Sequence, residues 1–264
     1  MLKIIFQDEY LLVLDKPPGL VVTSSETQAE KTLEDILKTD FGIKVERGGI
    51  VHRLDKDTSG LLVVGKSEEM VGKLQAQFKE RTVKKQYLTL VHGWVEKPGK
   101  IDAPILRNPR NREKFIALAS QTSSFKAREA VTEYEPLEKL EIRPFDFAQC
   151  KNSKFETIFA GFNKIQLRKL GRMDYGQCTL LKCFPHTGRT HQIRVHLKYI
   201  GNPVVADEKY GGRRTVRLDR RWCPRQFLHA ASLEFSHPVT GERMKLTSKL
   251  PEDLENALKS LEKI

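Results

Sequence analysis

The sequence predicts a single mixed α+β domain, and three observations carry that prediction. Short apolar runs of strand length recur along the chain between turn residues. A few stretches with apolar residues three and four apart stand among them, as amphipathic helices require. No repeat, low-complexity tract or flexible linker divides the 264 residues. With 39% hydrophobic and 30% charged residues, such a domain can bury a sizeable core without disulfide or metal staples.

Taken in order, Leu2 to Phe6 and Leu11 to Leu14 are apolar runs separated by Gln7-Asp8-Glu9, the pattern of a hairpin. Lys16-Pro17-Pro18-Gly19 is a sharp loop, and Leu20 to Val22 reads as another strand. Thr32 caps a helix with Leu33, Ile36 and Leu37 on one face. After Gly48-Gly49 comes the polar stretch His52 to Gly60, then the apolar strand Leu61 to Val64. Ser67 opens a helix carrying Met70, Leu74 and Phe78, with Glu68 and Glu69 suited to its N-terminal dipole. Val83 to Val95 reads as a strand, 107–114 as a basic loop, and Val131 to Leu137 as a strand. From about 141 to 175 phenylalanines are scattered without period before KIQLRKLGR, which reads as an insertion packed by its own aromatics. Cys178 to Phe184 is a strand, and Thr190 caps a helix stopped by Gly201. An arginine-rich stretch precedes the strand Phe227 to Phe235, and Leu254, Leu258 and Leu261 stripe a closing helix.

Lys and Arg outnumber Asp and Glu by 46 to 34, a net charge of +12. Such a surplus favours polyanions through phosphate contacts and counterion release. The four cysteines include no CxxC pair and join no His/Cys cluster of zinc spacing, so reduced thiols in a cytosol-like compartment are expected. No apolar run is long enough to span a membrane, and the N-terminus does not read as a signal peptide.

Asp55 is the focal candidate for chemistry. It sits in a loop with His52, Arg53, Lys56 and Thr58 between glycines. A charged carboxylate among cations can act as nucleophile or base, although an isolated Asp more often pairs with an arginine or caps a turn. The second element is Pro185 to Leu197, where a Gly-containing turn feeds a helix whose start is polar and basic. Arg189 and Arg194 there can receive phosphates or a carboxylate. His191 and His196 lie five apart, off the i, i+4 spacing of a helical ligand pair, so hydrogen bonding in the core or to RNA is expected and metal is not. Tyr87 follows two lysines in KKQYLTLVHG, where an aromatic can stack on a base while the lysines meet phosphate.

HRLDKDTSGLLVVGK and TGRTHQIRVHL resemble the signatures of the RluA-type pseudouridine synthases. KPPGLVV, KQYLTLVHG, GNPVVADEKYG and LHAASLEFSHPVTGE stand in that family's order, from about residue 10 to 250. The resemblance implies a mixed, largely antiparallel sheet with a central cleft, flanked by helices and loops. It makes Asp55 the catalytic aspartate, Tyr87 the tyrosine that stacks on the target base, and Arg194 the aspartate's cationic partner. It places Arg53 and Ile193 at the cleft, with Arg189 and His191 as further substrate contacts. The implied enzyme is an isomerase that turns specific uridines of ribosomal or transfer RNA into pseudouridine. It needs no cofactor or metal, and is expected to be a cytoplasmic monomer with RNA as partner and no membrane.

The competing readings are a catalytically silent RNA-binding protein on the same scaffold and a hydrolase using Asp55 with the histidines. The resemblance gives one catalytic domain over 1–264, with 141–175 as an atypical insertion and no N-terminal S4-type module. Site choice then falls to residues 107–114, to the insertion, and to residues 213–225 with their six arginines and Trp222.

Overall fold

A computed structural model describes residues 2–23, 31–119, 127–142 and 175–264. The strands among them are β1 (Lys3–Gln7), β2 (Leu11–Lys16), β3 (Ser59–Gly65), β4 (Lys84–His92), β5 (Gly99–Asp102) and β6 (Ile105–Arg107). They continue with β7 (Phe115–Ala117), β8 (Val131–Glu141), β9 (Gln177–Pro185), β10 (Leu228–Ser236), β11 (Arg243–Thr247) and β12 (Glu262–Lys263). The helices are α1 (Leu33–Thr39), α2 (Glu68–Lys79), α3 (Gln192–Tyr199), α4 (Arg213–Asp219) and α5 (Glu252–Lys259). The backbone falls into two compact units. The first holds residues 1–87, 186–190 and 229–250, and the second holds 88–185, 191–228 and 251–264.

In the first unit the expected hairpin forms, with β1 antiparallel to β2. β2 also pairs antiparallel with β3, from Leu11 opposite Gly65 to Lys16 opposite Gly60. Because side chains alternate across a strand, this ribbon feeds two cores. Leu12, Leu14, Leu62 and Val64 meet Leu33 and Leu37 of α1 on one face. Leu11, Val13, Leu61 and Val63 meet Leu74 of α2 together with Leu233 and Phe235 on the other. Burial on both faces explains why these strands read as continuous apolar runs rather than alternating ones. β10 then runs parallel to β3, with His229 opposite Ser59 and Ala230 opposite Gly60. Gly60 has φ +116°, and a Cβ there would lie 2.3 Å from the Ala230 carbonyl oxygen, so only glycine permits this approach.

α1 starts as expected. The Thr32 side chain accepts from Asp35 N–H, and Asp35 reaches back to Thr32 N–H at 2.8 Å, a reciprocal cap. Leu20 to Val22 is not a strand. Its carbonyls receive the first amides of α1 instead, Leu33 N–H on Val21 at 2.8 Å and Glu34 N–H on Val22 at 3.0 Å.

In the second unit β8 and β9 form a long antiparallel pair from Thr132–Pro185 to Glu141–Gln177, with a register shift between Pro136 and Glu138. β5 and β12 pair antiparallel with β8, and β6 with β7. α3 sets Val195 into a cluster with Ile105, Ala130 and Tyr210. The expected strand from Val83 to Val95 ends at His92, and the arginine-rich stretch contains the helix α4. Asp219, at the end of α4, is fully buried. It takes His92 Nε2 and Ala206 N–H at 2.9 Å each, and the Tyr175 hydroxyl at 2.9 Å. Of the insertion expected over about 141–175, positions 143–174, with its basic tail and Cys150, lie outside the described residues. The fold is α+β, with antiparallel pairing dominant within each unit.

Candidate active site

In the first unit Asp55 opens a turn: Thr58 N–H donates to the Asp55 carbonyl at 3.1 Å. A residue that sequence reading passed over holds this turn. Lys16 is fully buried, and its ammonium donates to the carbonyls of Pro17 at 2.8 Å, Leu20 at 2.9 Å and Lys56 at 2.9 Å. Three acceptors match the three donors of an ammonium, which offsets the cost of burying it. The Pro-Pro loop and the Asp55 turn are thereby fixed to each other. The turn leads into Ser59, whose hydroxyl meets His229 Nδ1 at 3.0 Å, while His229 Nε2 meets the Ser248 carbonyl at 3.3 Å.

Tyr87 is half-buried on β4 and packs against the cluster that includes Leu14, Leu54 and Ala230. Burial pushes its hydroxyl well above the usual phenol range, and the negative charge of Asp55 pushes it further. The phenol therefore remains protonated at neutral pH. Two residues earlier, burial lowers the Lys85 ammonium to about 8. Its Nζ faces the Thr187 carbonyl at 3.4 Å, in the turn that also carries Arg189. His52 lies close by. Its Nε2 accepts the Val63 N–H at 3.1 Å, and its ring stacks on Phe78 at 4.8 Å between centroids. Burial, with the Lys85 charge second, lowers His52 to about 3, so the imidazole is neutral. Arg53 is exposed and Arg189 half-buried.

The second unit carries the other three expected residues. Arg194 is 4% exposed and Asp207 fully buried. Arg194 Nε donates to Asp207 Oδ2 at 2.7 Å, and Nη2 donates to Oδ1 at 2.8 Å. The guanidinium also lies 5.2 Å from the centre of the Tyr210 ring. Ile193 is buried beside it. Thr190 is not the helix cap: that position belongs to His191, held at φ +56° with no side-chain cap. The His191 ring instead meets the Tyr210 hydroxyl through Nδ1 at 2.9 Å. His196 is a core residue, bonded to Thr132 Oγ1 and the Ala103 carbonyl at 2.9 Å each. Among the described residues, no group of His, Cys, Asp and Glu could hold a metal ion.

Of the seven expected residues, Asp55, Tyr87, Arg53 and Arg189 thus belong to the first unit, and His191, Ile193 and Arg194 to the second. The partner residues Lys16, His52, Lys85 and Asp207 had weak signals: a lysine ending an apolar run, and an acid ending the run Val204 to Ala206. Trp222 and Arg225, expected as RNA contacts, are buried. Trp222 donates to the Tyr175 hydroxyl at 3.1 Å, and Arg225 grips Asp253 at 2.6 and 3.1 Å.

Residues 10–199 match the family described as RNA pseudouridylate synthase. The chain belongs to this family. A large-subunit ribosomal pseudouridine synthase D of Nitrosomonas europaea is 38% identical over 98% of the chain, which spans 65% of that protein. An Escherichia coli large-subunit ribosomal pseudouridine synthase C is 33% identical over 98% of the chain and 69% of its own length. Among solved structures, human RNA pseudouridylate synthase domain containing 1 is similar at TM-score 0.69 and 26% identity, covering all of this chain and 89% of that one. The fold is therefore that of the family. No helix among the described residues is long and apolar enough to cross a membrane.

Proposed function

We propose that the protein isomerises specific uridines of RNA to pseudouridine, with Asp55 as catalytic carboxylate, Tyr87 as base platform and Arg194 as counter-ion. The observation that carries this reading is the first-unit pairing of a carboxylate on a fixed turn with an aromatic whose hydroxyl feels that carboxylate's charge. The reaction breaks the N1–C1′ bond, turns the uracil and joins C5 to C1′. C5 then loses a proton and N1 gains one, so no outside group is consumed. The base must leave its stack first, which costs a few kcal/mol, and stacking on Tyr87 returns about 1–3 kcal/mol. A protonated phenol suits stacking and proton relay rather than action as a phenolate.

Asp55 either attacks the sugar or takes a proton from it. Arg194 is held by Asp207 through Nε and Nη2, which fixes the plane of its guanidinium, and it is assigned as the counter-ion of the carboxylate. Arg53, Arg189 and His191 are assigned to the RNA strand, and Ile193 to the wall beside the reacting base. The names of the relatives favour large-subunit ribosomal RNA as substrate. The reading includes a cytoplasmic monomer acting on that RNA. Incubation with unmodified large-subunit ribosomal RNA tests it: a uridine isomer of unchanged mass supports it. Strand cleavage or released uracil would mark a hydrolase, and binding without product would mark a silent RNA-binding protein.

A further inference from the structure

Two basic segments far apart in sequence share one groove in the second unit. The loop closing β6 and β7 supplies Lys114, and α4 with the residues before it supplies Lys209, Arg213 and Arg217. The groove is open and has a volume of about 410 Å³. Its lining also includes Val216 and one carboxylate, Glu208, which is ion-paired to Arg220. Among the described residues, none of the four cations has an ion-pair partner. Ligand pockets for small molecules are mostly apolar with a few polar groups. This one is the reverse, and its chemistry fits a polyanion.

The groove has a fixed frame. Asn108 N–H donates to the Lys114 carbonyl at 2.9 Å and closes the loop on itself. Phe115 N–H donates to the Tyr210 hydroxyl at 3.0 Å. The same Tyr210 hydroxyl meets His191 Nδ1 at 2.9 Å. Tyr210 N–H donates to Asp207 Oδ1 at 3.1 Å, the acid that orients Arg194. One tyrosine therefore ties the cationic groove to the residue proposed as counter-ion of the reaction.

We propose that this groove is an auxiliary docking surface for the phosphate backbone of the substrate RNA; it rests on the pseudouridine synthase reading. The arginines take phosphates through their forks and the lysines as point charges. Each phosphate contact contributes roughly 0.7–0.9 to the slope of log Kd against log salt concentration.

The test uses the full chain, an unmodified large-subunit ribosomal RNA transcript, and the variant Lys114→Gln/Arg213→Gln/Arg217→Gln. Filter binding across a salt series should show the slope reduced by about 2. KM for the transcript should rise at least tenfold, by more than kcat falls. A charge-matched control, Lys79→Gln/Lys97→Gln/Lys245→Gln, alters exposed lysines elsewhere and should leave the slope near wild type. Arg213→Lys/Arg217→Lys should keep the slope, which separates loss of charge from loss of fold. An unchanged slope in the groove variant, or an equal drop in the control, overturns the proposal. Absence of pseudouridine from wild type would overturn the functional reading instead, while the salt slopes would still report on the groove.

Discussion

Arg194 and Asp207 grip each other through two parallel hydrogen bonds of 2.7 and 2.8 Å in a site almost closed to water. Removing one partner strands the other as a buried charge, which costs about 3–5 kcal/mol. Asp207→Ala should lower the urea midpoint accordingly and reduce turnover, since the guanidinium loses its orientation. A loss under about 1 kcal/mol, read by denaturant titration with unchanged m, would show the pair to be dispensable for folding.

Asp55→Asn should abolish pseudouridine formation while leaving affinity for RNA within a few-fold of wild type. A drop of ~10³ or more, about 4 kcal/mol of barrier, is expected in single-turnover rate. Substantial product from this variant removes Asp55 from the chemistry.

Tyr87→Phe keeps the ring and should keep substrate affinity. Tyr87→Leu gives up stacking of about 1–3 kcal/mol per base and should lower kcat/KM by roughly 5- to 150-fold. Because the phenol stays protonated well past neutrality, Tyr87 should contribute no inflection to the rate between pH 6 and 9. Equal kcat/KM for the Leu variant and wild type takes the residue out of the site.

Two bases whose charged forms burial disfavours contribute to the pH dependence of stability. His52 binds a proton below about 6.5 when unfolded but only below about 3 when folded. The unfolded state holds more protons in that window, so stability falls as pH drops from 6.5 toward 3. Geometry agrees, since Nε2 must be bare to accept the Val63 N–H. His52→Gln should flatten the pH curve there by about one proton's worth, ~1.4 kcal/mol per pH unit.

Lys85 has the same sign in a higher window. Its folded value of about 8 lies below the ordinary lysine value of 10.5. Stability should therefore climb between pH 8 and 10.5, and Lys85→Met should remove the climb. Thermal melts across that range read the difference; a variant with the wild-type profile would show that Lys85 is solvated.

What was legible in the sequence was whatever a local rule dictates. Thr32 and Ser67 sit where their helices begin because a side-chain oxygen there meets a free amide. The β2 and β3 runs were plain because burial on both faces demands apolar residues throughout. Thr190 misled because a left-handed turn at His191 starts the helix one residue later, where no side chain caps it and the His191 ring meets Tyr210 instead. The short strands β5, β6, β7, β11 and β12 carry little pattern of their own and exist through their neighbours. The Asp55 motif marked the site, but Asp207 left only the weak signal of an acid ending an apolar run, because its pairing with Arg194 joins segments that no local rule connects.

Lys16 donates to the main-chain oxygens of residues 17, 20 and 56. Those three bonds do not depend on the side chains at 18, 19 and 20, provided the peptide path is kept. That segment could be rewritten by engineering or drift, changing what it shows to an approaching strand while the carboxylate stays in place. Substituting the lysine itself admits no such latitude, because no other side chain places three donors on a single compact nitrogen at that reach.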